Sequence, residues 1–558
     1  MKRNRKAIAT ILSLLMAVTL LAACGPTTDT GTTPPTGGET ATPTPTPGVT
    51  PGAGDEIAAT PEEGANLAEH IDLILDTQIT VLNSTLPGAT GNPVTWANRL
   101  VKDRLIEHTG PTTLGPGLAT RWETDDYVTF RFYLRDDVYF HNGDHFTADD
   151  VIFTVEVAKM HPGSPAYNRW RFIETITAVD TYIVEMVLHD VNVDFYFELS
   201  NSHASIYNRT AFEANPSDPS WAHVATGPFR VTGFSTNDFL RLERFEDHWG
   251  GVAPTKSLTL WTIPEMATRT LMLQTGEAQA VFSLTAEDLD MFNESEDFQV
   301  FAVTNNMPTS IGFNNQGDAI MMDRNFRLAV AHAINTADIA TVAEGRWALP
   351  AIDGNIWGLE TQWRISGLEQ REHNPELARQ YLADSVYNGE TIELITANAE
   401  NIRGAEMIQL QLAEIGINIA IEITDMAGFT AAHTFDPTST RQMHFFAVAA
   451  QPIAMTALRQ GFWPENHLNW LNYSNDRVTQ LIEELAVTAA DADRAAIARE
   501  IQEIFYEEMP ALAVYFPIRG IPAVNGIGGI RFSPLTFEWD MRGIFWDLSE
   551  TAENLRPS

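Results

Sequence analysis

The sequence predicts an α/β protein with added antiparallel pieces, folded in more than one lobe, and three observations predict it. A strand, a crossover helix and a second strand follow one another between Asn374 and Thr424, which makes a parallel pair. Residues 127–134 and 182–188 read as further strands, and 147–159 as a helix capped by Thr147. About 490 residues follow Asn66, too many for one core and enough for two or three domains.

At the N-terminus, Lys2, Arg3, Arg5 and Lys6 precede an uncharged run, 7–23, that closes on Ala22 and Ala23. This is the layout of a secretory signal, and the run is at the short limit for a spanning helix. Leu21-Ala22-Ala23-Cys24 resembles a bacterial lipobox, and Cys24 is the only cysteine in 558 residues. The resemblance implies that Cys24 is lipidated and becomes the first residue of the mature chain. A thiol used as an anchor leaves none for a disulfide.

From Gly25 to about Gly64 the chain is rich in Thr, Pro and Gly, including ATPTPTPGVTPGAG, and has almost no large apolar residues. Such a stretch buries too little surface to order itself, and its prolines favour extended, semi-rigid spacing. We expect a signal over 1–23 and a tether over 24–65. Lys and Arg total 35 against 73 Asp and Glu, a net charge of −38 that grows more negative when the signal's four cations leave. A surface of that sign repels phosphate backbones, so nucleic-acid binding is not expected.

Signatures of catalysis do not hold up. Gly233-Phe234-Ser235-Thr236-Asn237 lacks the closing glycine of a nucleophile elbow, and Gly526-Ile527-Gly528-Gly529 has no strand-then-helix frame for phosphate. His141 and His145 have the spacing of a helical metal site, but Asn142-Gly143 breaks the helix that would align them and reads as a turn closing a strand pair. The 14 His and 16 Met residues leave a metal complex open as a ligand, but they are scattered and no cluster selects a metal, so no metal site or cofactor of the protein's own is expected. Carboxylates are too numerous for a paired acid and base to be chosen.

The parallel unit is the best-marked part of the chain. Asn374-Pro375-Glu376 is an N-cap, a first-turn proline and a carboxylate at the helix's positive end, so a helix through about Asp384 follows. After the Tyr387-Asn388-Gly389 turn, 391–397 reads as a strand and 401–415 as a helix with Ile408, Leu412 and Ile415 on one face. Gly416 ends it, and isoleucines at 417, 419, 421 and 423 alternate with other residues as one face of a strand.

The segment GPGLATRWETDDYVTFRFYLRDDVYFHNGDHFTADDVIFTVE (115–156) resembles the signature region of family 5 extracellular solute-binding proteins, the peptide/nickel-type group that feeds ABC importers. ATGPFRV (225–231), RTLMLQTGEAQAVF (269–282), FRLAVAHAINTADI (326–339), HNPELARQYL from His373, WLNYSNDRVTQLIEEL (470–485) and EIFYEEMPALAVYF (503–516) follow in that family's order. The resemblance implies a two-lobed periplasmic-binding-protein-like fold with an extra domain, mixed sheets flanked by helices and a hinge between the lobes. It implies lobe I over 66–105, 222–322 and 517–549, the extra domain over 106–221 and lobe II over 323–516. Its implied partners are an ABC importer's permease and ATPase and a solute held between the lobes.

One departure bears on the ligand. Peptide-binding members carry a Trp and then an Asp that pairs with the ligand's α-ammonium, whereas HFFAVAAQPIAM (444–455) has no acidic residue. Val448 aligns near that Trp and Gln451 near that Asp. An amide accepts a hydrogen bond from an ammonium but cannot neutralise it, so free-amine peptides should bind less well than neutral ligands. The resemblance brings Tyr167 and Trp170 toward the ligand. Trp357 and Trp363 sit in a loop-like stretch, and Phe445, Phe446, Phe462 and Trp463 flank the Gln451 region. With the amides of Gln451, Asn466 and Asn469, these rings suit capped peptides or sugars. Tyr167, Trp170, Trp357, Phe446, Gln451 and Trp463 are the expected ligand contacts.

The expected protein is a monomeric, non-enzymatic receptor anchored through Cys24 on the outer face of the cell membrane, or in the periplasm if an outer membrane is present. It takes up an oligopeptide or similar solute for import. An oligosaccharide receptor, a ligand sensor of the same fold and a secreted hydrolase are the alternatives. Cys24→Ser should move the protein from the membrane to the soluble fraction with its folded part intact; retention on membranes refutes the anchor.

Overall fold

The computed structural model describes residues 61–556 apart from 90, 111, 370, 434, 435, 437, 448–452, 465, 467 and 534–537. The expected signal, Cys24, Val448 and Gln451 lie outside the described residues.

Lobe I begins with strand β1 (His70–Leu75) and helix α1 (Asn92–Val101). The chain then leaves for the extra domain, which carries α2 (Pro165–Trp170) and α3 (Phe195–Leu199). It returns to lobe I with β2 (Ser257–Thr262), β3 (Ala280–Val281), α4 (Ala286–Asn293) and β4 (Phe298–Thr304). Lobe II is built on β5 (Thr309–Phe313), α5 (Thr336–Glu344), β6 (Thr391–Thr396), β7 (Asn418–Ile423), β8 (Met443–Ala447) and α6 (Asp491–Glu508). A last long strand, β9 (Ala511–Val524), runs back through both lobes.

The sheet order is β7-β6-β8-β5-β9-β3-β1-β2, extended beyond β2 by Phe239–Arg244 and Phe229–Ser235. In its first half β9 pairs antiparallel with β5, from Gly312 opposite Ala511 to Thr309 opposite Tyr515. In its second half it pairs with β4, from Thr304 opposite Ile518 to Phe298 opposite Val524. Pro517 lies at the change of partner, where a residue with no N–H takes no donor from the ladder. Its carbonyl accepts from Asn305 N–H at 2.7 Å, which fixes the segment that carries the chain from β4 to β5.

Each part has its own core. Lobe I closes around Ile71, Leu73, Leu100, Leu258 and Val524, lobe II around Ile311, Leu394, Ile408 and Val514, and the extra domain around Phe130, Phe132, Phe146 and Trp170. Thr309–Phe313 pairs with β8 and β9, and Ile311, Phe313 and Met321 pack in lobe II. Strand pairing rather than sequence adjacency decides which core these residues join.

The βαβ unit forms as its pattern requires. Asn374 caps Pro375–Ala383 by accepting from Leu377 N–H at 3.0 Å, helix Ala399–Glu414 crosses over, and Gly416 takes φ 93° at its end. β6 and β7 then pair in parallel. Near the other end of the chain, Thr147 caps Ala148–Lys159 in a capping box with Asp150. The imidazoles of His141 and His145 bond the carbonyls of Gly227 and Asp136, at 2.9 and 3.0 Å.

The extra domain, a four-stranded antiparallel sheet with helices, joins lobe I through buried charge. Arg99 contacts Asp540 at 3.0 Å, Arg104 contacts Glu107 at 2.7 Å, and Arg542 reaches Glu107 at 3.2 Å. Each charge has a partner of opposite sign, the condition for keeping ions out of water. Gly227 seals the same junction: its N–H donates to Val101 O at 3.0 Å, and a Cβ there would stand 2.4 Å from the Val101 carbonyl carbon. Gly227→Ala should destabilise the fold by about 1–3 kcal/mol, since backbone must move to admit the methyl. An unchanged denaturation midpoint would show that the junction is pliant.

Candidate interlobe binding site

The parallel strands of both lobes end toward one crevice. In lobe I, β1 runs parallel to β2 and β3, and β3 ends at Phe282-Ser283-Leu284. In lobe II, β6 runs parallel to β7 and β8, and Ala447 at the end of β8 lies opposite Thr309, which follows the crossing segment. In open α/β sheets ligands bind beyond the carboxyl ends of the strands. A cavity of about 310 Å³ lies there, lined by Trp96, Phe282–Leu284 and Trp539 of lobe I, Asn305, Met307 and Ile518–Ile521 of the crossing strands, and Glu344 of lobe II.

Its one ion pair joins β9 to lobe II. Arg519 Nη1 donates to both Glu344 oxygens, at 3.0 and 3.1 Å. Glu344 is buried while Arg519 is about half-exposed. Burial pushes the Glu344 carboxyl up, and Arg519 opposes that shift. Arg519 is the only exposed residue along β9. On the neighbouring face, Trp347 is fully buried with Leu289 and Ile518, and its indole N–H donates to Asp290 at 2.8 Å. Arg346 adds a contact to Asp290 at 2.6 Å, so α4 of lobe I is held against the residues that follow α5.

The residues expected from sequence divide into two groups. Tyr167, Phe446 and Trp463 are half-buried; Phe446 packs on Phe429 with centroids 4.7 Å apart, one residue before β8 ends. Trp170 and Trp357 are packed instead: Trp170 is 0% exposed in the extra-domain core, and Trp357 is 4% exposed in lobe II. Trp357 donates its indole N–H to Gln362 O at 3.0 Å. Both rings bury more free energy in packing than an open surface would leave them. Phe445 and Phe462 are core as well, and the Asn469 amide is spent on Trp463 O and Tyr473 O. Gln451 follows β8 in the segment outside the described residues. Missed from sequence were the cavity, β9 and the Glu344–Arg519 pair; the signal was Arg519-Gly520 interrupting the apolar run of 511–524.

The family model described as "Bacterial extracellular solute-binding proteins, family 5 Middle" matches residues 113–458. The chain belongs to the family 5 solute-binding proteins. It is 25% identical over 404 residues to the glutathione-binding protein GsiB of Shigella flexneri, covering 69% of this chain and 77% of that one. Heme-binding protein A of Haemophilus influenzae is 22% identical over 484 residues, covering 80% and 87%. Among solved structures, the ABC transporter substrate-binding protein CtaP of Listeria monocytogenes superposes with a TM-score of 0.78 at 20% identity, covering 86% of this chain and 100% of that one. Family 5 proteins are extracellular or periplasmic, and among the described residues no helix is long and apolar enough to cross a membrane.

In this family 5 chain, Tyr167 is placed by a polar network beneath α2. Ser164 caps the helix by accepting from Tyr167 N–H at 3.1 Å, and Ala166 N–H donates to Ser84 O at 2.9 Å. Ser84 also bonds the half-buried His203 ring at 2.9 Å and accepts from Asn98 at 3.1 Å. Lys102 donates to Leu82 O and to Asn98 Oδ1, the latter at 2.8 Å, and lies 5.0 Å from the Tyr207 ring centre. Burial pushes the Lys102 ammonium down to about 7 and His203 to about 3.

The sign for Lys102 follows from linkage. Its folded pKa lies below the unfolded 10.5, so the cost of burying the charge is full below about pH 7 and is relieved as pH rises to 10.5. Stability of the parent should rise across that window more steeply than that of Lys102→Met. Parallel stability curves for the two proteins would show that Lys102 is not buried as a cation.

Proposed function

We propose that this protein is the lipid-anchored, extracellular substrate-binding component of an ABC importer, and that it captures an oligopeptide or similar small solute between its lobes by hinge closure. The observation that carries the reading is the crevice at the crossing strands, where the carboxyl ends of the parallel strands of both lobes point beside a cavity of about 310 Å³. The peptide class is supported by relatives. One is a glutathione-binding protein, and a fold neighbour, DppA of Helicobacter pylori at TM-score 0.70 and 22% identity, was solved with the peptide STSA.

In this reading residues 66–105, 222–308 and 517–549 move as lobe I with the extra domain, 106–221, packed on them. Residues 309–516 move as lobe II. Tyr167, Phe446, Trp463 and Gln451 contact the ligand. A monomer anchored through Cys24 then presents the closed form to the importer's permease, and the ATPase drives release.

Glutathione and a set of tri- to pentapeptides, free and N-acetylated, are the probes. A bound probe should reduce the radius of gyration and shift tryptophan emission, because two of the 13 Trp residues, Trp96 and Trp539, line the cavity. A radius of gyration unchanged at a probe concentration that saturates binding by calorimetry overturns hinge closure. Binding of none of the probes overturns the peptide class.

A further inference from the structure

The extra domain is joined by the chain only to lobe I, yet it touches lobe II. Arg494 on α6 donates through Nη2 to Asp194 Oδ2 at 2.5 Å, across 300 positions of sequence, and both side chains are under 10% exposed. Asp194 is the residue that precedes α3, and Phe197 of that helix packs against the lobe II cluster of Trp357, Met455 and Phe505. The Arg494 guanidinium lies 4.9 Å from the Trp363 ring centre, and Trp363 is itself tied to α6 by its indole N–H, which donates to Asp491 at 3.0 Å. Arg459 of lobe II faces Asp194 and Glu198 as well, and Glu198 is held by Arg169 at 2.5 Å. None of these residues belongs to the crossing strands, so the contact is made apart from the hinge.

The pair is also incompletely satisfied. Asp194 Oδ1 and Arg494 Nε are both buried without a hydrogen-bond partner. A buried ion pair gains Coulomb energy but forfeits hydration, and each unpaired polar atom raises that cost. Separation of the two surfaces would return water to both atoms. The net gain from contact is therefore small against its gross strength, as a joint that must open and close requires. A permanent domain interface has no such need, and between lobe I and the extra domain the single carboxylate of Glu107 is held by Arg99, Arg104 and Arg542 together.

We propose that Asp194 and Arg494 form a latch, with the extra domain as a second jaw that grips lobe II when the crevice closes and lets go when it opens. The proposal rests on the hinge-closure reading above. It adds that the unliganded protein's balance between open and closed forms is set by this contact, at a place where no ligand need touch it.

The test uses the full chain carrying Cys24→Ser, with spin labels at Glu213→Cys on the extra domain and Glu503→Cys on α6, both side chains well exposed. Pulsed dipolar spectroscopy gives the distance distribution without ligand. Asp194→Asn and Arg494→Met should each lower the ratio of short to long distances at least tenfold. The double variant should shift it no further than the larger single change, because both remove one shared contact. Single variants that keep the parent distribution, or shifts that add in the double variant, overturn the latch. A tryptic digest of casein, added to the parent, separates the two readings. Shortening by the digest with no effect of either substitution leaves closure standing and removes the latch; no movement in any arm removes both.

Discussion

One strand, β9, is built into both lobes, and the rest of the architecture is arranged around that fact. Its first half completes the lobe II sheet and its second half the lobe I sheet, so the lobes cannot part without bending it. The ladder changes partners at Pro517, a residue that has no N–H to donate to it. The return crossing, 305–308, is pinned to that point by Asn305 N–H on Pro517 O. The two connections between the lobes therefore lie in one narrow band, and the crevice lies beside it.

Around this hinge the charges are distributed by how much movement each contact must allow. Between lobe I and the extra domain, arginines and carboxylates are buried in a mutually paired network, which is costly to disturb by removing any member. Elsewhere the contacts are smaller. Arg519 with Glu344 and Arg346 with Asp290 lie near the crossing strands, and Arg494 with Asp194 joins the extra domain to lobe II. The acidic surface, with a net charge of −38, is a separate matter that concerns solubility outside the cell and says little about the ligand.

Local signals in the sequence determined what local physics decides. The cap at Asn374, the period of Ile408 and Leu412, the glycine at 416 and the alternating isoleucines after it specify a βαβ unit without reference to any other part of the chain. The ordered landmarks from 115 to 516 carried family and fold in the same way. The aromatic candidates show where this stops. Tyr167 and Trp170 share one short helix, yet the first is half-buried and the second wholly packed, because the face a ring presents depends on what the helix lies against. Likewise the pairing of Thr309–Phe313 with β8 and β9 is a long-range contact that its local sequence does not announce. Only the tertiary structure could bring Glu344 to Arg519 or Asp194 to Arg494, since long-range contacts between single charged residues leave no periodicity, spacing or composition behind in the chain.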